Sequence, residues 1–202
     1  MARPKLYDDD LRDRLLDEAV AIVAGGGLCA LSVRGVAAAA GTSTSAVYSL
    51  FGSKEDLARE VLIRAFQSFA AAQQSAVTGD LADDVAGLGV MYIQWALDNP
   101  RLFELMFGPQ VAGISTSADL DAAASQAMTP LATGVAQAIE AGIFREADPT
   151  TIVASLWAQV HGLTLLLLAD RLPPGADPAR AAMAVLDGWK ASGPGSDHRG
   201  LG

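Results

Sequence analysis

Three observations on this 202-residue sequence predict an all-α fold of about nine helices. Apolar residues recur at steps of three and four along nearly the whole chain. Residues of capping type stand just ahead of those stripes, at Ser32, Ser53, Asp148 and Asp177. Glycine or proline punctuates the stripe ends, while no segment alternates as a strand must and no internal repeat is visible.

Each element can be justified in turn. Leu11, Leu15, Ala19 and Ile22/Val23 give an apolar stripe over about Asp10–Ala24, closed by Gly25-Gly26-Gly27. The acids Asp8 to Asp10 suit the start of that helix, where the dipole favours negative charge. Ser32 caps the free amides of Val33 to Gly35 and opens a short helix that ends at Gly41. Thr42 to Thr44 form a turn, Ser45 to Phe51 a second short helix, and Gly52 breaks it. Ser53-Lys54-Glu55-Asp56 reads as a capping box with Asp56 in place of the usual Glu. It starts a long helix through Leu57, Val61, Ala65 and Phe69 to about Ala76.

After Gly79-Asp80, the residues Leu81, Val85, Leu88, Met91/Tyr92 and Trp95 mark the next helix, its early acids Asp80, Asp83 and Asp84 again favouring the start. Asn99 as cap and Pro100 at the first turn predict a short helix to Phe107, then a loop to about Thr116. Leu120, Ala124, Met128, Leu131, Val135 and Ile139 mark a long helix with Pro130 inside, where a kink is expected. Asp148-Pro149 and Asp177-Pro178 open two final helices, about 149–170 and 177–190. The tail 191–202 has no periodicity and is expected to be mobile.

Composition narrows the function classes. With 51% apolar and 18% charged residues the chain can bury a large core, and the low charge suggests that a partner also covers apolar surface. One cysteine rules out a disulfide framework, and two histidines leave little for a metal centre, so no metal and no cofactor is expected. Cys29 has no histidine or lysine near it in sequence and is expected to be a small buried apolar side chain. No apolar run reaches the ~18 residues of a membrane span, and acids occupy the start where a signal peptide needs apolar residues. A cytoplasmic protein without a membrane partner is the expectation. The net charge of −9 is unevenly spread, with eight basic against nine acidic residues in Met1–Arg64. A negatively charged partner should therefore meet the first third of the chain.

The most specific signal lies between Ser32 and Phe51. Ala37, Gly41 and Val47 stand where two crossing helices need a small residue at the contact, a glycine at the reversal and an apolar lock. The remaining face of the second helix shows Thr44, Ser45, Tyr48 and Ser49, small enough to enter a major groove about 12 Å wide. Arg34 and Lys54, with Arg3 and Lys5, are placed to meet phosphates.

Across Leu11 to Leu62 the sequence resembles the TetR family of bacterial transcriptional regulators. The residues that carry the likeness are Ala37-Ala38-Ala39-Ala40-Gly41-Thr42-Ser43, Ala46-Val47-Tyr48 and Phe51-Gly52-Ser53-Lys54-Glu55-Asp56-Leu57. Asn99 to Gly108 and Trp157-Ala158-Gln159-Val160-His161-Gly162-Leu163 resemble the subgroup named for its Trp-x-x-x-His-Gly stretch. The resemblance implies a three-helix helix-turn-helix DNA-binding domain at 1–53 and a larger ligand-binding and dimerisation domain at 54–190. Carried over by position, Tyr48 contacts phosphate or a thymine methyl, Lys54 grips phosphate, and Thr44, Ser45 and Ser49 face the groove, with Arg34, Thr42 and Ala46 completing the DNA-binding set. Two departures stand out: the region is not net basic, and Ser49-Leu50 occupy positions where many relatives carry His or a second aromatic.

The expected ligand site gathers Tyr92, Trp95, Phe103, Phe107, Met128, Trp157 and His161, large groups on helices that should converge, with Gln159 and Thr164 as further polar points. The bland reading of any one of them is ordinary core, His161 included. Leu163–Ala169 is apolar all round and the last helix carries Ala181, Ala182 and Ala184, so the final two helices are read as a two-fold homodimer face. The expectation is a non-enzymatic regulator, most often a repressor in this family, released from a palindromic operator in double-stranded DNA by an apolar or aromatic effector. The alternative is a helical small-molecule-binding protein or enzyme without a DNA role, although no phosphate loop or catalytic triad can be placed.

Overall fold

The computed structural model describes residues 6–191, so Arg3, Lys5 and the tail from residue 192 onward lie outside the described residues. Among the described residues the fold is all-α: nine α-helices, two short 3-10 turns, and one isolated antiparallel bridge between Phe144 and Lys190. The helices are α1 (Leu6–Gly26), α2 (Val33–Ala39), α3 (Thr44–Phe51), α4 (Lys54–Ser75), α5 (Leu81–Asp98), α6 (Pro100–Phe107), α7 (Ala118–Glu140), α8 (Pro149–Leu168) and α9 (Pro178–Trp189).

Capping chemistry sets most of the starts. The Ser32 hydroxyl accepts from the Gly35 amide at 3.0 Å, and the Ser43 hydroxyl accepts from the Ala46 amide at 3.2 Å. The carboxylates of Asp148 and Asp177 accept from the Thr151 and Ala179 amides, both at 2.9 Å. At the Ser53 box the Asp56 amide donates to the Ser53 hydroxyl, which in turn donates to the Asp56 carboxylate at 2.6 Å. The shorter Asp side chain thus closes on the capping hydroxyl.

Several boundaries and one burial differ from the sequence expectation. Helix α1 begins at Leu6 and continues through Gly25 and Gly26; the break falls on Gly27, whose φ of 72° only glycine adopts without strain. A 3-10 turn over Leu28–Ala30 follows, and Cys29 within it is exposed, not buried. None of that turn reaches the core, which is met instead by Leu31 at 1% exposure. Asn99 precedes α6 without a side-chain capping bond, leaving Pro100 to shape the first turn. The loop after Gly108 contains a 3-10 turn, Pro109–Gly113, and α8 and α9 are slightly shorter than expected.

The described residues fall into two compact units. One runs to Ala71 and takes in Asp98–Ala127; the other joins Ala72–Leu97 to the residues from Met128 on. In the first, Leu15, Ala19, Val23, Val36, Val47, Leu57 and Val61 are at most 1% exposed, α6 lies against α1, and Leu102 and Leu105 of α6 are buried. In the second, Val85, Val135, Ala138, Phe144, Ile152, Leu156 and Leu186 form a continuous apolar cluster. Each such fully buried Leu, Ile or Val contributes about 1.5–3 kcal/mol over leaving it in water.

The outer side of the second unit is different. Leu165, Leu166 and Leu168 on α8 and Met183 on α9 are all more than a third exposed. Helix α8 is long and apolar enough, by length and composition, to cross a membrane, yet only 22% of its most apolar window is buried within the chain. The far end of α9 is tied down. The Arg145 amide donates to the Trp189 carbonyl at 2.9 Å and the Ala191 amide to the Ile143 carbonyl at 2.8 Å. The Arg145 guanidinium lies 4.4 Å from the Trp189 ring centre, whose indole N–H donates to Ser155 at 2.8 Å.

Candidate nucleic-acid interface and ligand site

The turn between α2 and α3 is built by its glycine. Gly41 takes φ 65°, and the Thr42 amide donates to the Ala37 carbonyl at 2.8 Å while the Gly41 amide donates to the Ala38 carbonyl at 3.2 Å. Ala37, 2% exposed, sits where the two helices meet, and Val47, 1% exposed, locks α3 onto them with Phe51. Gly52 closes α3 at φ 83°. The three positions read from the spacing, Ala37, Gly41 and Val47, are thus in place.

With Val47 and Phe51 turned inward, Thr44, Ser45, Tyr48 and Ser49 are exposed, and Tyr48 retains 53% of its surface. Thr42 and Ala46 are half-buried beside them. Arg34 on α2 and Lys54 at the start of α4 are exposed and make no ion pair among the described residues. Other basic groups are engaged. Arg12 pairs with Glu60 at 2.7 Å while its guanidinium covers the Phe51 ring at 5.0 Å. Arg59 pairs with Asp56 at 2.7 Å and donates to the Ser115 carbonyl, and Arg64 approaches Asp13 and Asp17. The Ser53 hydroxyl, then Arg59, hold the Asp56 carboxyl below the usual carboxylate range.

Sequence reasoning passed over two residues here. Arg14 on α1 is a further exposed cation, and Arg12 fixes the ring of Phe51 that anchors α3. The signal for the second was an arginine one turn from the apolar stripe, which periodicity alone does not score.

The seven expected ligand residues separate into groups. In the first unit Phe103 and Phe107 lie against each other at 5.1 Å between ring centres, and Phe66 meets Phe107 edge-on at 6.1 Å. In the second unit the Tyr92 hydroxyl lies 2.8 Å from Nδ1 of His161, and Trp157 meets the His161 ring at 6.2 Å. Burial pushes the Tyr92 phenol well above its ordinary value, with Trp157 opposing, and burial lowers His161. A neutral phenol and a neutral imidazole result, joined by one hydrogen bond between the Tyr92 hydroxyl and Nδ1 of His161. Trp95 is buried on α5 and Met128 half-buried on α7. Gln159 donates to the Ala181 carbonyl and Thr164 to the Val160 carbonyl, so these two polar points are engaged with backbone.

A cleft of about 110 Å³ opens elsewhere in the second unit, between Gln74, Asp84, Leu88, Thr129, Thr133 and Gly134 among others, and none of the seven residues lines it. Pro130 and Gly134, one turn apart on α7, leave that face shallow; a side chain on Gly134 would press on Val85 at 3.3 Å. Asp84 accepts from the Thr78 amide and hydroxyl at 2.7 Å each and from the Gly79 amide at 3.0 Å. The Thr78 amide foremost holds its carboxyl below the usual range.

Comparison with known proteins agrees with this geometry. Residues 15–61 match the model for bacterial regulatory proteins of the tetR family, and residues 85–188 match the tetracyclin repressor-like C-terminal domain. The chain is 28% identical over 127 residues to the HTH-type transcriptional regulator Rv1816 of Mycobacterium tuberculosis, covering 60% of this chain and 54% of that protein. It therefore spans about half the length of the curated relatives it matches. Among solved structures it is similar to a protein of unknown function from Rhodococcus sp. RHA1, with TM-score 0.77, 27% identity, and 88% and 92% of the two chains covered. It shares the fold of the TetR family transcriptional regulator PfmR from Thermus thermophilus, with TM-score 0.63, 24% identity, and 87% and 96% covered.

Proposed function

The chain belongs to the TetR family of bacterial regulatory proteins, and from that premise we propose that it is a homodimeric, cytoplasmic transcriptional regulator that represses from a palindromic operator and is released by a small effector. The DNA-binding part is 1–53 and the ligand-binding and dimerisation part 54–190. The observation that carries this reading is the exposed hydroxyl and phenol face of α3 (Thr44, Ser45, Tyr48, Ser49) flanked by the exposed cations Arg34 and Lys54. Two copies related by a two-fold axis set their α3 helices about 34–36 Å apart, in successive major grooves.

The leucines of α8 and Met183 of α9 support the pairing face. An apolar helix that its own chain leaves uncovered is stabilised by an equal surface from a second copy. For the effector, the Tyr92–His161–Trp157 cluster offers apolar walls with one imidazole, the usual make-up of a small-molecule site. An effector that binds one conformer better weakens operator binding by the same coupling free energy with which operator weakens effector binding, typically about 1–3 kcal/mol.

Replacing Tyr48 with Ala tests the reading. A mobility-shift assay should show operator binding weakened while sedimentation shows the dimer intact. Undiminished binding would contradict the placement of α3 in the groove.

A further inference from the structure

We propose that the cleft of the second unit beside Asp84 and Gly134 binds a primary ammonium group carried on a short alkyl chain, apart from the Tyr92–His161–Trp157 cluster. The inference stands independently of how α3 meets DNA. The space exists because α7 carries no side chain at Gly134; one added there would meet Val85 at 3.3 Å and Leu88 at 3.9 Å. The cleft, about 110 Å³, falls well below the roughly 300–1,000 Å³ of a site for a drug-sized molecule. It suits a head group and a few carbons.

Charge sets the sign of the guest. Asp84 is 4% exposed, and the donors from Thr78 and Gly79 that hold its carboxyl low keep it ionised at neutral pH. A carboxylate has about four lone-pair sites. Oδ1 accepts from the Thr78 amide and hydroxyl, and Oδ2 from the Gly79 amide, so Oδ2 can take one further donor. The walls come from the end of α4, Val77, α5 and α7. Helices α5 and α7 contain no Lys, Arg or His, and α4 has none after Arg64. A buried charge is stabilised by an opposite one, and these walls supply none.

The acceptors narrow the cation. Gln74, Thr133 and Gln137 add side-chain oxygens to the Asp84 carboxylate, and an ammonium brings three N–H donors to meet them. A quaternary ammonium has no such donor and is held by aromatic faces, yet no aromatic residue lines the cleft. Calcium takes six or more oxygen ligands, carboxylates prominent among them, and no group of three His, Cys, Asp or Glu gathers among the described residues. Val77, Leu88 and Pro130 give the methylenes an apolar wall.

Butylammonium chloride is the probe, titrated into the full chain without DNA and followed by saturation-transfer NMR. Tetramethylammonium chloride and n-butanol, at matched ionic strength, are the controls. Butylammonium should bind saturably and the controls should not. Gln137 is exposed on α7, so replacing it leaves the core intact. Gln137→Glu should tighten butylammonium about two- to five-fold, the scale of one exposed ion pair, and Gln137→Lys should weaken it by a similar factor. Asp84→Asn should lose the binding. Because Asp84 also ties the turn at Thr78 and Gly79, its melting is recorded alongside, and the Gln137 pair decides the matter if that variant does not fold. No saturable butylammonium binding, equal binding of either control, or affinity unchanged in both Gln137 variants would each overturn the inference.

Discussion

The hydroxyl of Tyr92 on α5 and Nδ1 of His161 on α8 lie 2.8 Å apart, a polar contact joining two helices of the second unit. Tyr92 is 4% exposed, so its hydroxyl has exchanged water for this partner. Removing it in Tyr92→Phe leaves Nδ1 without that partner and should cost about 1–2 kcal/mol. At about 2–4 °C per kcal/mol for a chain of this size, the fall in melting temperature is readily measured.

The same histidine gives stability a pH dependence. Burial lowers its folded-state pKa, so near the ordinary value of about 6.5 the unfolded chain binds more protons than the folded one. Stability should therefore be level above that value and fall as the pH drops through it toward the depressed folded pKa. The carboxylates of Asp56, Asp84 and Asp148, all held low by hydroxyl and amide donors, act in a separate window: their contribution is full above 3.8 and lost below it. Urea midpoints taken from pH 8 to pH 5 should decline for the original chain and flatten in His161→Gln.

Salt should report on Arg34 and Lys54. Deleting one cation that neutralises a phosphate lowers the slope of log affinity against log salt by about 0.9. Arg34→Ala and Lys54→Ala titrations, read by fluorescence anisotropy, should each show that change, and an unaltered slope would remove the residue from the phosphate contacts.

On the outer side of the second unit, Leu166 is 40% exposed. Leu166→Glu puts a charge where a second copy is proposed to pack, and sedimentation should then report a single chain. Helical content by circular dichroism should remain, because the side chain already has two-fifths of its surface in solvent.

Cys29 is exposed in the folded protein. A colorimetric thiol reagent should titrate it at once without denaturant, and Cys29→Ser should abolish the signal with no change in melting.

Helices and their starts were legible because caps and stripes are local: Ser32, Ser53, Asp148 and Asp177 each act on amides two or three residues away, whereas Ser43, which caps α3, was read as part of a turn. The helix-turn-helix was legible for the same reason, since Ala37, Gly41 and Val47 meet within fifteen residues. Cys29 was misread because its apolar neighbours point to a core that Leu31 alone enters. The partner of His161 stands 69 residues away on Tyr92, a separation that no periodicity encodes. Nor could spacing tell that Phe103 and Phe107 pack with Phe66, or that a cleft forms at Pro130 and Gly134, since both depend on which helices become neighbours.

The clasp at the end of α9 bears on how a second molecule could join. Asp177 holds the first turn, while the strand-like rungs from Arg145 to Trp189 and from Ala191 to Ile143 hold the last. Met183 is thus offered on a helix capped at its start and tied to the chain at its end. A second copy packing there, as proposed, would have little of α9 left to order on assembly.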